Sequence, residues 1–480
     1  MNTTGTGEGL GAIELPTARI ARRVAERPDS AAIISRHAHV TYREFWQEVV
    51  HSAAGLHGMN RVAVLPTSDI GSMVAVVAAM HAGVSVVLLH RHLVPNQLTR
   101  VLELTKPGAI VAEPHQHRRL RRLGCLLEVC TAATLAAEGP VGRPEPDTEL
   151  LIGITSGTTG EPKLFVRNQR SWAATLDRSD ATFSVGIGDR VAAPGVLDHT
   201  HFLYGALHAL TRGAAVDLRP VEQSLNDGAT HLYSVPTIAW DVARSETGPF
   251  ETVREVLSSA ARWPRAGRHA LQTTLPNASL VHFYGASELS FVSFDRGLGS
   301  SDENSAGQLF DGVEAQVRDG LIFIRSDMLF DGYLTTGGVT GGPVDGWMSV
   351  GDRGQVRGNE LQLFGRAGDV LIRAGFNVDL TAIEAALTAI PGIIEAACVA
   401  VPDARMGAVP AAAIAVTEDA PGSDAIRRQL RVTLPAPSMP VQIATLTSLP
   451  RTRRGKLDRA ALTATLTAAC RAPIVRAAEP

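Results

Sequence analysis

The sequence predicts an α/β fold with a large N-terminal domain at residues 1–366 and a small α+β C-terminal domain at residues 367–480. A length of 480 residues allows two or three domains with sizeable cores. Between residues 13 and 150 strand-like and helical segments alternate, which is typical of parallel βαβ units. Beyond residue 366 this alternation stops, and the pattern becomes that of a separate small unit. We therefore expect a multi-sheet first domain and a compact second one.

Apolar periodicity and chain-breaking residues place the elements. The first domain is predicted to begin with strands at 31–34, 61–65, 84–89 and 109–111, alternating with helices at 41–57, 71–81 and 96–106. Residues 70–89 are strongly apolar but contain His81 and Gly83, so they are predicted as a helix and a strand rather than a membrane span. Further strands are predicted at 150–154, 281–284 and 321–325, and a helix at 170–183. The second domain is predicted as helices at 380–390 and 423–433 with strands at 393–401 and 411–416.

Composition excludes several classes of protein. A formal net charge of -3 gives no overall attraction to nucleic acid or to an anionic membrane. The four cysteines lack metal-binding spacing and are too few for a disulfide scaffold, which predicts a reducing, cytoplasmic environment. Residues 1–11 have neither a basic nor an apolar region, so no secretory signal is expected. The basic run at 115–122 is interpreted as a solvated helix or loop, with a phosphate contact as the alternative.

A loop rich in glycine and hydroxyl residues follows the predicted strand at 150–154 and ends at Lys163. Glycines let backbone N–H groups converge on an anion, while hydroxyls and a lysine add donors and charge. These features predict a polyphosphate-binding loop. It is not the common P-loop, because Glu161 and Pro162 separate Gly160 from Lys163 and no Ser or Thr follows the lysine. A flexible connection is the alternative reading. The residues proposed to bind are Thr155, Ser156, Gly157, Thr158, Thr159, Gly160 and Lys163.

Three later segments also combine polar residues with strand ends or turns. Asp198, His199 and His201 are close in sequence, but apolar flanks favour a pocket wall over a metal site. The segment 281–288 is a strand that ends in an aromatic residue, a glycine and a carboxylate. The C-terminal segment 450–456 contains several basic residues and ends at Lys456, which on its own is also compatible with an ordinary solvated surface.

Five strings in this order resemble the adenylate-forming enzymes, which include acyl-CoA synthetases, aryl-CoA ligases, luciferases and adenylation domains. The strings are 155–163, 284–288, 351–352, 365–377 and 450–456. Each string is weak alone, but their order and spacing across nearly the whole chain are specific. Within that family the chain is most similar to the shorter bacterial acyl-CoA synthetases.

The resemblance implies a role for each string. The loop at 155–163 would hold the β- and γ-phosphates of ATP, and Thr155 is also a catalytic candidate. Glu288 would be a catalytic residue and the Mg²⁺ ligand, and Asp352 would accept the ribose hydroxyls with Arg366 beside it. Adenine would stack on Tyr284. The remaining nucleotide-binding candidates are Ala260, Gly285 and Ser287.

The C-terminal domain would act as a mobile lid over the cleft. Lys456 would bridge the acid and the α-phosphate, and His199 is a catalytic candidate in the wall of the acid pocket. Gly368 occupies the position of the family's hinge residue, where Asp or Lys is usual, and Ala382 replaces a usual glutamate. The lid face that contains Gly375 and Phe376 would approach the thiol tunnel after rotation. Pocket residues are expected among His199, Tyr204, Tyr233, Ser234, Ala260 and Gly285.

Three classes of function follow from this resemblance. The preferred one is an acid–CoA ligase that uses ATP, Mg²⁺ and CoA on a small-molecule acid. The second is an adenylating enzyme that transfers its acyl group to a carrier protein or an amine, or that adenylates an unusual acid such as nitrite. The third, a nucleotide-binding module without activity, is disfavoured by Lys163, Glu288, Asp352 and Lys456 together. The segment 230–234 lacks the aspartate that usually pairs with an α-amino acid substrate, and no nucleic acid partner or membrane span is expected.

Overall fold

Within the residues that the structure describes, the strands form three sheets of thirteen, eight and five strands. The structure is a computed structural model, and it describes residues 13–156, 162–260, 263, 265–300, 302, 304–366, 370–417, 419–450 and 458–471. The strands of the first half are β1 (Ala31–Ile34), β2 (His39–Thr41), β3 (Arg61–Leu65), β4 (Ser85–Leu88), β5 (Ile110–Ala112), β6 (Val129–Cys130), β7 (Glu149–Ser156), β8 (Pro162–Asn168), β9 (Arg190–Ala192), β10 (Ala215–Asp217), β11 (His231–Ser234), β12 (Glu255–Ser258) and β13 (Ser279–Ala286). Those of the second half are β14 (Ser290–Arg296), β15 (Ser305–Leu309), β16 (Glu314–Arg318), β17 (Leu321–Arg325), β18 (Gly332–Thr335), β19 (Gly338–Thr340), β20 (Asp352–Arg357), β21 (Glu360–Arg366), β22 (Val370–Arg373), β23 (Phe376–Asp379), β24 (Ile393–Asp403), β25 (Gly407–Val416) and β26 (Gln442–Leu446).

Helices connect most of the parallel strands and cover the sheets. They are α1 (Pro16–Glu26), α2 (Tyr42–Gly55), α3 (Ile70–Ala82), α4 (Pro95–Thr105), α5 (Pro114–Arg122), α6 (Ala132–Leu135), α7 (Gln169–Thr182), α8 (Thr200–Arg212), α9 (Val221–Asn226), α10 (Pro236–Ala243), α11 (Arg265–Thr274), α12 (Leu380–Thr388), α13 (Ser423–Thr433) and α14 (Arg459–Arg471), with a 3₁₀ turn at Ala436–Ser438.

The eight-stranded sheet has the parallel βαβ order that the alternating pattern predicts. Its strand order is β19-β18-β8-β7-β4-β3-β5-β6, and the neighbours from β7 to β6 run parallel. β8, β18 and β19 extend it with antiparallel pairs. α3 is buried on nearly all sides between the sheets, as expected for a helix that is apolar around its whole circumference.

The thirteen-stranded sheet is parallel from β13 to β1 and antiparallel on both sides of that run. Its order is β16-β17-β20-β21-β15-β14-β13-β12-β11-β9-β10-β1-β2. β13 is the last strand of the parallel run, and β14 turns back against it. The carboxyl ends of β11, β12 and β13 therefore lie together at one edge, where open α/β sheets bind ligands. The largest core cluster fills the space between this sheet and the eight-stranded one.

The small C-terminal sheet has the order β23-β22-β25-β24, with β26 pairing on β25. Side chains alternate along β24, so Cys398 packs with α12 and α13 while Val399 packs with α14 on the other face. Glu384 on α12 joins these layers, since it accepts hydrogen bonds from the backbone N–H of Cys398 (2.8 Å) and from Arg459 (2.9 Å).

The large sheet ends at Arg366 and the small one begins at Val370. The predicted domain boundary at 366/367 and the hinge at Gly368 concern residues 367–369, which are outside the described residues, so both stay predictions. None of the helices in the described ranges has the length and apolar character that a membrane crossing requires.

Candidate active site

A cleft of about 1160 Å³ lies between the large domain and the small C-terminal domain, and residues of both line it. Its walls include Thr155, Tyr284, Glu288 and Asp352, which come from four different segments of the sequence. The small domain contributes the turn between β22 and β23, with Gly375 and Phe376 facing the cleft. The fold thus brings together residues that the sequence analysis selected as separate strings.

The proposed phosphate loop connects two antiparallel strands. Thr155 at the end of β7 pairs with Lys163 near the start of β8, and Ser156 pairs with Pro162 through the backbone. Lys163 is exposed, and its Nζ lies 5.5 Å from the centre of the Tyr333 ring. The binding candidates Gly157, Thr158, Thr159 and Gly160 lie in 157–161, outside the described residues, and only the backbone of Ser156 is described.

The end of β13 and the start of β20 meet at the wall of the cleft. The hydroxyl of Tyr284 donates to Asp352 Oδ2 at 2.5 Å. Asp352 pairs through the backbone with Arg366, whose side chain is not among those described. Gly285 allows β14 to approach closely, since a Cβ atom there would lie 2.1 Å from the carbonyl oxygen of Ser290. The wall of the cleft therefore has three adjacent parts here, namely the Tyr284 ring, the backbone of Gly285 and the Asp352 carboxylate.

Glu288 is a nearly buried carboxylate on the cleft wall, with 8% of its surface exposed. The Tyr333 hydroxyl donates to its Oε1 at 2.9 Å. No three His, Cys, Asp or Glu side chains of the described ranges come together as a metal site. A divalent ion at Glu288 would therefore need oxygen ligands from a bound phosphate or water, which suits Mg²⁺.

His199 forms the N-cap of α8 and contacts the small domain. The backbone N–H of His201 points at its Nδ1 (3.4 Å), and its Nε2 lies 3.4 Å from the carbonyl oxygen of Gly375. This pattern assigns the proton to Nε2, so neither nitrogen offers a lone pair for a base in this arrangement. Burial lowers the pKa of His199 to about 4, which keeps the ring neutral near pH 7.

Ala260, like His199, lies next to Gly375 in the turn between β22 and β23. It follows β12 and has a φ of 75°, an uncommon value for a residue with a Cβ atom. A Cβ atom on Gly375 would approach the Ala260 Cβ to 3.1 Å. The large and small domains are therefore in close contact here.

The sequence analysis missed a group of residues after β4 that lines the cleft beside His199. Arg91 pairs with the buried carboxylate of Asp198, and the rings of His90 and His92 lie 5.3 and 5.9 Å from that of Phe376. Burial lowers the pKa of His90 to about 3. The available signal was their position directly after a buried strand, at the edge of a parallel sheet.

Four of the six pocket residues expected from the sequence line the cleft, namely His199, Tyr204, Ala260 and Gly285. Tyr233 and Ser234 do not line it, because β11 is fully buried beneath α8. The backbone carbonyl of Ser234 accepts a hydrogen bond from Nε2 of His201 at 2.8 Å, so this strand supports the pocket from behind.

A second cluster that the sequence analysis missed surrounds Arg167 on β8. Its side chain is 5% exposed, lines the cleft, and donates to Ser171 and Thr175 on α7. The neighbouring Trp172 also lines the cleft. The sequence analysis assigned no element to residues 164–169 and included Trp172 only as part of the helix predicted at 170–183, so neither residue was selected.

Lys456, the remaining catalytic candidate, lies in 451–457, outside the described residues. The basic run at 115–122 forms helix α5, in agreement with its interpretation as a helix or loop.

Comparisons with known proteins agree with this arrangement. The family model described as AMP-binding enzyme matches residues 20–334, and the model of the AMP-binding enzyme C-terminal domain matches residues 382–456. The uncharacterized acyl-CoA ligase YhfT of Bacillus subtilis is 30% identical over 460 residues, covering 90% of this chain and 94% of that protein.

Two solved structures show the same fold at low sequence identity. The o-succinylbenzoate CoA synthetase MenE of Bacillus subtilis superposes with a TM-score of 0.83 at 21% identity, covering 93% of this chain and 98% of that one. The amide bond synthetase McbA of Marinactinospora thermotolerans has a TM-score of 0.82 at 23% identity, covering 93% and 99%.

Proposed function

Because this chain belongs to the AMP-binding enzyme family, whose members are adenylate-forming enzymes, we propose that it is an acid–CoA ligase. It would activate a carboxylic acid with ATP, release pyrophosphate, and transfer the acyl group from the adenylate to the thiol of CoA. The observation that carries the proposal is the meeting of Tyr284, Glu288 and Asp352 in one cleft beside the Thr155–Lys163 turn. The name of its 30% identical relative supports an acyl-CoA ligase.

The proposed nucleotide site uses residues from both large sheets. The turn that begins at Thr155 and ends at Lys163 would hold the β- and γ-phosphates, with Ser287 near the α-phosphate. Adenine would lie against Tyr284, Gly285 and Ala260, and the ribose hydroxyls would donate to Asp352. The family arrangement supports Arg366 and Lys456 as further contacts. There is little covalent chemistry for the protein itself, so positioning and charge stabilisation would provide the rate.

Glu288 is the proposed Mg²⁺ ligand. A single nearly buried carboxylate beside the phosphate turn fits a hard cation that takes most of its ligands from phosphate oxygens and water. When bound, Mg²⁺ would neutralise charge on the pyrophosphate that leaves. Tyr333 would fix the orientation of the Glu288 carboxylate through its hydrogen bond.

The position of the small domain supports CoA as the acceptor. The turn at Gly375 and Phe376 lies against His199, His90 and His92, and forms one side of an opening into the cleft. We propose that the thiol enters beside this turn, and that residues 367–480 act as the mobile lid domain. In this role His199 positions the lid turn and the acid, and does not serve as a base in the observed arrangement.

Acid-dependent pyrophosphate release, measured over a panel of acids with and without CoA, tests the proposal. We expect AMP and pyrophosphate as products, and an acyl-CoA thioester identified by mass spectrometry only when CoA is present. Formation of ADP would contradict adenylation. Adenylate that accumulates with CoA, but reacts with an added amine or carrier-protein thiol, would contradict CoA as acceptor while keeping the adenylation step.

A further inference from the structure

A buried arginine lines the cleft and has no acidic partner there. Arg167 is 5% exposed, and it makes no ion pair with a carboxylate of the described residues. Burial lowers the pKa of Arg167 to about 10, so the guanidinium stays charged near pH 7. An unpaired charge in such a place is costly unless something compensates it. The charge therefore points to a ligand or to an electrostatic use.

The hydrogen bonds of Arg167 leave one of its two terminal nitrogens nearly unused. Nε donates to Ser171 Oγ (3.0 Å), and Nη2 donates to the Ser171 carbonyl (3.1 Å) and to Thr175 Oγ1 (3.2 Å). Nη1, which has two N–H groups, has only a long contact of 3.5 Å to the carbonyl oxygen of Ser287. At least one of its N–H groups has no acceptor in the described part of the chain.

Trp172 supplies a second, independent donor in the same wall. It is 4% exposed, its ring lies 5.6 Å from that of Tyr204, and it lines the cleft. Its Nε1 has no hydrogen-bond partner among the described residues. Buried polar groups are nearly always hydrogen-bonded, so this N–H also indicates an acceptor that comes with the substrate.

The carboxylates near Arg167, namely Asp331 and Glu288, attract its charge through space, but neither forms an ion pair with it in the described part of the chain. Glu288 is assigned to Mg²⁺ and already accepts from Tyr333, and Asp198 is paired with Arg91. Asp331 accepts a hydrogen bond from Asn168 at 2.6 Å, and it attracts Arg167 through space without an ion-pair contact. Arg167 and Trp172 therefore present unused N–H donors at this part of the cleft, with apolar walls formed by Leu151, Phe165 and Phe291.

We propose that the acid activated by this enzyme is a short carboxylic acid with a second anionic group, a carboxylate or a sulfonate, which Arg167 and Trp172 bind. This inference rests on the proposed acid–CoA ligase activity and adds the substrate class. The contact of Nη1 with the carbonyl of Ser287, one residue before Glu288, places the second anion close to the reacting carboxyl. The two acid groups are therefore separated by only a few bonds.

Pairs of acids that differ only in the second charge test the proposal. Malonate, succinate and glutarate are each compared with their own monoamide, which has nearly the same shape but no second charge. We expect kcat/KM to be about 100-fold or more higher for the diacid of at least one pair, the scale for a buried charge contact. Turnover of 3-sulfopropionate would assign a sulfonate to the same site. Equal use of diacid and monoamide in every pair, or a preference for uncharged acids such as butyrate or benzoate, would overturn the proposal.

Variants separate recognition of the second anion from a structural role. Arg167→Met should bring the diacid-to-monoamide ratio of kcat/KM close to one, and Arg167→Lys should retain part of the preference. Trp172→Phe, which removes one N–H, should lower the ratio less. Arg170→Met is the matched control, because Arg170 is exposed and pairs with Asp147 outside the cleft.

A loss that is equal for both members of each pair in Arg167→Met and Arg167→Lys would show that Arg167 only ties β8 to α7, and the proposal would fall. Failure of the proposed function looks different. In that case neither diacids nor monoacids would yield AMP with the wild-type enzyme.

Discussion

Glu288 and Lys456 hold the two opposite charges on which the proposed adenylation step depends. Glu288 is held in the cleft wall by the Tyr333 hydroxyl, while Lys456 belongs to a segment outside the described residues. Their substitution therefore tests two separate parts of the same site.

Glu288→Gln should weaken the use of Mg²⁺–ATP and leave the fold intact. Glutamine keeps the volume and an acceptor for Tyr333, but it removes the charge that a hard cation requires. We expect the KM for Mg²⁺–ATP to rise and activity at limiting Mg²⁺ to fall by at least about tenfold, since even the loss of a group that only supports a metal ligand costs about 10- to 100-fold in affinity. Tyr333→Phe is the control that removes the hydrogen bond alone. Unchanged activity at limiting Mg²⁺ would exclude Glu288 as the ligand.

Lys456→Ala should slow adenylate formation by about 10²- to 10⁴-fold, the range for loss of one preorganised donor at a developing charge. It should hardly change the conversion of supplied acyl-adenylate to thioester. The two half-reactions are assayed separately, with Arg451→Ala in the same basic segment as the control. An equal loss in both half-reactions would make Lys456 a structural residue.

Single residues were predictable from the sequence where they belong to an ordered string, and not where only the fold gives them meaning. Tyr284, Glu288 and Asp352 were selected through the order of the strings, and they lie in the same cleft. Arg167 and His90 were not selected, since neither belongs to such a string. Whether such a side chain lines a cavity depends on which face of its strand is covered, and that is decided by distant parts of the chain.

Among the elements, the hairpin of β22 and β23 makes the contact between the two domains on which the proposed thioester step depends. Gly375 has a φ of 86°, and a Cβ atom there would lie 3.1 Å from the Ala260 Cβ and 3.3 Å from His199 Nε2. A side chain at this position would strain the backbone and push Ala260 and His199 away by a few tenths of an ångström. Phe376 then packs with His90, His92 and His199 on the cleft side.

Gly375→Ala should slow thioester formation from supplied adenylate about tenfold or more, as expected when a cleft contact must move by a fraction of an ångström. Adenylate formation should change less. Gly407→Ala is a matched control, because Gly407 has a similar φ of 77° in the same sheet but no close atom from the large domain. If both variants behave alike, backbone strain explains the effect and the domain contact does not.

Elements with local signals were predicted well, and elements with distant partners were not. The prediction of helix 71–81 and strand 84–89 is confirmed by α3 and β4, because an apolar run and a glycine mark both. Strands β15 to β21 were largely missed. They are short and antiparallel, and β15 pairs with β21 across more than fifty residues, a relation that no local pattern contains.

For the whole molecule, several buried histidines determine how stability depends on pH. Burial lowers the pKa of His199 and His231 to about 4, and that of His90, His201 and His282 to about 3. These rings are neutral in the folded state, but they take up protons in the unfolded state below about pH 6.5. The unfolded state then binds more protons, so the free energy of unfolding falls as the pH decreases from about 6.5 to about 4.

We therefore expect the Tm to be nearly constant between pH 7.5 and 6.5 and to drop steeply towards pH 4.5. Over that range the free energy of unfolding should fall by up to about 1.4 kcal/mol per pH unit for each histidine involved. Thermal unfolding followed at a series of pH values measures this. Replacing the exposed His37 with Gln should leave the profile unchanged. A Tm that stays level down to pH 4.5 would contradict the assignment of neutral buried histidines.

The resemblance predicted a large N-terminal and a small C-terminal domain, but it did not predict which surfaces of the two domains are in contact. Arg405 on the small domain pairs with Asp241 on the large one (2.7 Å), and neither residue was marked by any pattern. Exposed pairs of this kind contribute little stability, so such a contact can form and break as the domains move. The division at residue 366 remains a proposal.

His199 lines the cleft and also contacts the turn at Gly375, so in the proposed function one side chain would touch both the acid and the lid. An acid that fits badly would displace the imidazole of His199 and so disturb its contact with Gly375. The lid would then close poorly over an adenylate that had already formed. Water would hydrolyse this adenylate before the thiol of CoA could react with it. Errors in acid selection would thus appear as futile ATP consumption, with AMP produced in excess of thioester, and seldom as a wrong product released into the cell.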